Sequence, residues 1–87
     1  MPEQTDWPEW WDWPLVVTSH VRRRMVDRGF SETDLRQMLA DARDLVPDDE
    51  PGRAAVLTER EGDRWQVIVE PNPITERLVV VTAYPVE

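Results

Sequence analysis

The sequence predicts an α+β fold in which two N-terminal helices pack on a three- to four-stranded antiparallel β-meander. Three observations predict it. Apolar residues recur at helical spacing as far as Ala42, and they alternate with a period of two from Arg53 onward. Between the two regimes lies "DLVPDDEPG", an acidic, proline-bearing segment read as a loop.

The first helix should begin near Thr18 or Ser19, since either hydroxyl can cap it. Val17, Val21 and Met25 follow at intervals of four and make a narrow apolar stripe. Gly29 is placed to stop the helix in a left-handed conformation. In "SETDLRQMLADAR" a helix restarts, with Ser31 as cap and Asp34 three residues on, a variant of the capping box. Its inward face would be Leu35, Met38, Leu39 and Ala42. Then "RAAVLTER" and "RWQVIVE" read as a hairpin joined through Glu61, Gly62 and Asp63. The segment "PNPIT" makes a wider turn, and "RLVVVTAY" is a β-branched third strand.

Residues 1–14 form a separate acidic, tryptophan-rich head, and residues 15–87 form the domain. The head contains "DWPEWWDWP", whose prolines argue against both a helix and a central strand. Trp7, Trp10, Trp11 and Trp13 are close enough to stack on bases or grip a partner. Their more ordinary role, favoured here, is to fold back over an open side of a small core.

A chain of 87 residues makes one domain with one modest core. There is no cysteine, which excludes a disulfide framework and a thiolate metal site. The lone histidine argues against zinc as well, so no cofactor is expected, and only carboxylates remain as Mg²⁺ ligands. Glu59 and Glu70 are the pair considered for that role, against the ordinary reading as wet-face glutamates. The N-terminus lacks a basic region followed by an apolar one, and no apolar run is long enough to span a membrane. The expectation is a cytoplasmic protein without a membrane partner.

The charge pattern points to function. A formal net charge of −8 argues against non-specific coating of DNA. Yet residues 19–28 set four arginines against Asp27, beside the only histidine. All ten basic residues of the chain are arginine, the cation whose fork matches phosphate and carboxylate. His20, Arg24 and Arg28 are spaced i, i+4 and i+8, so they line one face of the first helix, beside the apolar stripe. Arg22 and Arg23 project elsewhere, where they add positive charge for substrate binding. In the last strand, Leu78, Val80, Thr82 and Tyr84 should share one face, and Val79, Val81 and Ala83 the other. The second face is purely apolar and suits packing on the helices. The first turns polar toward its end, and its two hydroxyls opposite an imidazole and arginines suit a phosphodiester.

"SHVRRRMVDRGFSETDLRQML", then "GRAAVLTEREGDRWQVIVEPN" and the closing "LVVVTAYPV" together resemble the DUF4258 family of small bacterial proteins. The shared pattern is His-x3-Arg-Met-x2-Arg-Gly, a Ser-capped helix, and a meander ending near a threonine and an aromatic. The likeness covers residues 16–87 and omits the head. The resemblance implies membership of the barnase–EndoU–colicin–RelE-like toxins, metal-independent ribonucleases. It implies roles as well. His20 would be the general base for a ribose 2′-OH, with Arg24, Arg28 and Arg53 as phosphate clamp. Thr82 and Tyr84 would position the substrate and supply the acid. The implied partner is RNA, such as tRNA or ribosome-bound RNA, with a protein antitoxin engaging the head.

The chemistry would be attack by the 2′-OH, leaving a 2′,3′-cyclic phosphate and a 5′-OH. An imidazole, with a reference pKa of about 6.5, is naturally poised to be the base. The acid is the gap, because there is no second histidine. Other readings stay open at this point. His20 could serve a backbone carbonyl, and the arginines could pair with Asp27 or the acidic residues 48–50. The domain would then be a non-enzymatic module recognising a partner through its head, or would self-associate along its terminal strand edge.

Overall fold

The computed structural model describes residues 7–86. A 3₁₀ turn, Glu9–Asp12, leads into β1, Leu15–Val17. Two helices follow, α1 at Ser19–Arg28 and α2 at Glu32–Ala40. The chain then runs through β2 (Asp44–Pro47), β3 (Ala54–Arg60), β4 (Asp63–Asn72) and β5 (Arg77–Pro85). The five strands form one sheet in the order β1-β5-β4-β3-β2. The α+β class is as expected, but the sheet is mixed rather than an antiparallel meander, because β1 pairs parallel to β5. No helix among the described residues is long and apolar enough to cross a membrane.

Local signals produce the helices where the sequence places them. The Thr18 hydroxyl accepts from the Val21 N–H and caps α1, and Gly29 ends it at φ 70°. Ser31 and Asp34 form a reciprocal capping box at the start of α2. Leu35, Met38 and Leu39 face inward. Ala42 lies beyond the helix end and packs half-buried against the core.

The β3–β4 hairpin turns on Glu61 and Gly62 alone, with φ 53° and 83°. Two positive values match a type I′ turn, whose twist suits the flanking strands. Asp63 already belongs to β4, opposite Arg60. In the wider turn before β5, the Asn72 side chain accepts from the Ile74 and Thr75 N–H groups.

Three expectations need correction. The segment beginning at Asp44 is not all loop: Asp44–Pro47 is β2, antiparallel to β3. Leu45 supplies the anchor by packing on the core, and the edge position tolerates Pro47. Secondly, Val17 is the last residue of β1 and not part of the helical stripe. The Leu78 N–H donates to the Pro14 carbonyl at 2.9 Å, which aligns that strand before Thr18 turns the chain.

The third concerns β5. A register shift opposite Ile68–Val69 inserts one residue, because Ile68 pairs with Thr82 while Val69 pairs with Val80. This bulge interrupts the alternation. Leu78 and Val80 face the helices before it, and Ala83 faces them after it, all fully buried. Val79, Val81 and Ala83 therefore do not form the packing face.

The core lies between the helices and one side of the sheet. Val21, Met25, Leu35 and Met38 meet Val56, Val67, Val69 and Val80 there. Trp10, Trp11 and Trp13 pack half-buried against the same cluster, so the tryptophans of the head do cover the core. Trp7 stacks on Trp11 with ring centroids 4.6 Å apart. The first six residues of the head lie outside the described residues.

Candidate functional site

The site is built on α1. With Val21 and Met25 turned inward, the helix presents two flanks. Arg22 is on the flank toward α2, 3.7 Å from Glu32. His20, Arg24 and Arg28 run along the opposite flank, over the edge of β5. Two contacts fix that alignment. The Thr18 hydroxyl donates to the Val80 carbonyl at 3.3 Å, and Arg28 Nη1 donates to the Ala83 carbonyl at 2.7 Å. Pairing with β1 ends at Val80, so beyond it β5 has no strand on this side. The arginine flank occupies that open edge.

Among the described residues, His20, Arg23 and Arg24 have neither an ion pair nor a side-chain hydrogen bond. His20 is exposed and Arg24 half-buried. Neither Arg24 nor Arg28 pairs with Asp27 or with residues 48–50. Arg23 is exposed on the solvent side of the helix.

Thr82 and Tyr84 lie on the sheet face turned away from the helices, reached around the same edge. The Arg28 bond lands on the residue between them. Thr82 is half-buried opposite Ile68. The Tyr84 hydroxyl donates to Oε1 of Gln66, its cross-strand partner. The phenol proton is therefore engaged.

Arg53 stands apart. It precedes β3 and its Nε meets Glu70 at 2.9 Å. That hydrogen bond, with the charge of Glu70, raises the guanidinium above its ordinary value. Strand β4 lies between Arg53 and β5. Glu59 in turn pairs with Arg43 at 2.8 Å, at the other end of the hairpin from Glu70. The two glutamates do not form a cation site, and no group of three potential metal ligands occurs among the described residues.

The sequence motifs, in the order found along these elements, match the family model described as a domain of unknown function (DUF4258) over residues 17–85. The chain belongs to the DUF4258 family. Comparisons with curated proteins and with solved structures return no match. The DUF4258 match spans α1 to the end of β5 and leaves out the tryptophan turn. It contains every candidate site residue.

One residue of this DUF4258 domain that sequence reasoning missed is Arg60. Its guanidinium carbon lies 5.9 Å from the ring centres of both Phe30 and Trp65. It also donates to the Gly29 carbonyl at 3.3 Å and lies 3.6 Å from Asp34. It thereby pins the α1–α2 joint to the hairpin. These partners come from three separate elements, so no local pattern announces them.

Proposed function

We propose that the flank of α1 over the β5 edge is a phosphodiester site, and that the domain cleaves RNA by 2′-OH attack without a metal. The observation that carries this reading is the pairing pattern. His20 and Arg24 lack protein partners among the described residues, beside an Arg28 already tied to β5, whereas Arg22, Arg36, Arg43, Arg53 and Arg60 all meet carboxylates. An unpartnered fork beside an imidazole is available to an anion.

In this reading His20 takes the 2′-OH proton as the O2′–P bond forms. Arg24 and the free face of Arg28 stabilise the charge growing on the phosphorane. Thr82 positions the ribose or phosphate around the edge. The P–O5′ bond breaks, and the leaving oxygen takes a proton. Because Tyr84 is engaged with Gln66, a water held by Arg24 is the donor favoured here. Arg53 drops out of the clamp, since Glu70 already occupies its fork. Arg23 adds long-range attraction for RNA.

The rival reading, recognition through a free tryptophan arm, is weakened by the packing of Trp10, Trp11 and Trp13 against the core. Expression in a bacterial host tests the proposal. The wild type should slow growth and His20→Ala should relieve it. Equal growth of the two at equal protein levels contradicts the nuclease reading.

A further inference from the structure

A second concavity lies away from the α1 flank, between the tryptophan turn and the C-terminal half of α2. It measures about 220 Å³ and is lined by Trp11, Trp13, Leu15, Leu39 and Leu78, with Arg36 beside them. Glu32 meets Arg36 at 3.0 Å and Arg22 at 3.7 Å. One carboxylate thus faces two guanidinium groups, which leaves a surplus positive charge next to an apolar cleft in a chain of net charge −8.

We propose that this cleft is a docking pocket for an acidic segment of a partner protein, which inserts one large apolar side chain and sets a carboxylate on Arg36. Three arguments select that occupant. At about 220 Å³ the cleft is smaller than the roughly 300–1,000 Å³ typical of small-molecule sites, and it suits a single anchor side chain. Tryptophan and arginine are the residue types that dominate binding hot spots. The surplus charge favours a carboxylate and disfavours a basic segment. The head thus acts as one wall of the pocket rather than as a free arm, and the pocket is independent of the nuclease proposal.

The test is a titration of the ¹⁵N-labelled full chain, followed by NMR, with the acetylated, amidated pentapeptide Glu-Asp-Leu-Asp-Glu. Saturable shifts are expected at the indole N–H groups of Trp11 and Trp13 and at the amides of Leu15, Leu39 and Ala40. Ala40 and Arg36 are exposed, so Ala40→Glu and Arg36→Glu should fold normally and weaken binding about tenfold or more. The neutral peptide Gln-Asn-Leu-Asn-Gln should bind more weakly than the acidic one. Absent or non-saturable shifts overturn the proposal, as does an equal response to the neutral peptide. A response at these residues to indole-3-acetate but not to the peptide would make the cleft a small-molecule site. Shifts there that depend on protein concentration alone would make it a self-association surface.

Discussion

Arg28 Nη1 donates to the carbonyl of Ala83 at 2.7 Å, which joins the last turn of α1 to a strand 55 residues further on. The bond lands where β5 has lost its parallel neighbour, so it covers a carbonyl on an open sheet edge. Arg28 therefore has a structural duty besides any contact with phosphate. Arg28→Ala should lower unfolding stability in urea by about 1 kcal/mol, less than a buried charged hydrogen bond would. An unchanged midpoint would mean that the bond contributes nothing to the fold.

Thr58 is the one buried polar side chain of the core, and its hydroxyl donates to the Met38 carbonyl near the end of α2. Thr58→Val keeps the volume and strands that carbonyl. We expect a loss of about 1–3 kcal/mol, with Thr58→Ser closer to the wild type. Equal stability of the valine variant would contradict this assignment.

The capping box of α2 makes a pH-dependent contribution. The Ser31 N–H, and after it the Ser31 hydroxyl and Arg60, hold the Asp34 carboxyl below its ordinary 3.8. A depressed value means that the folded state favours the ionised form. The contribution is complete above that ordinary value and is lost as pH falls through the lower, folded one. The stability gap between the wild type and Asp34→Ala should therefore be constant near neutrality and shrink below pH 3.8. Ser31→Ala should cost about 1 kcal/mol at neutral pH. A gap that widened on acidification would reverse the sign argued here.

Trp10 belongs to the group of rings packed against the core. If the turn that carries it is part of the fold, Trp10→Ala should lower stability by about 1 kcal/mol, the scale expected for a half-buried ring. Unchanged unfolding, read by circular dichroism, would show that the turn is dispensable.

What was legible in the sequence was local. Thr18, Gly29, Ser31 and Asp34 act on backbone groups within a few residues, so spacing alone located both helices. The Glu61–Gly62 turn is local as well. The strands that escaped notice depend on distant partners. β1 has three residues and exists because Pro14 and Leu15–Val17 align with β5, while β2 hides behind Pro47 and its acidic surroundings. The bulge in β5 is equally silent, because "LVVVTAY" alternates acceptably in either register. The line His20–Arg24–Arg28 followed from helical spacing. The removal of Arg53 did not, since it depends on Glu70 across the hairpin. The hydrogen bond of Tyr84 to Gln66 is of the same cross-strand kind.

The central claim is most directly tested on a short single-stranded RNA in the presence of EDTA, with products resolved by mass spectrometry. Wild-type protein should release a 2′,3′-cyclic phosphate and a 5′-OH, and should fail on the same strand made with 2′-deoxyribose at the scissile position. Arg24→Ala should cut about 100-fold more slowly, and His20→Ala should lose cleavage at least as severely. Cleavage at equal rates by the wild type and His20→Ala, or none by the wild type, would contradict the account.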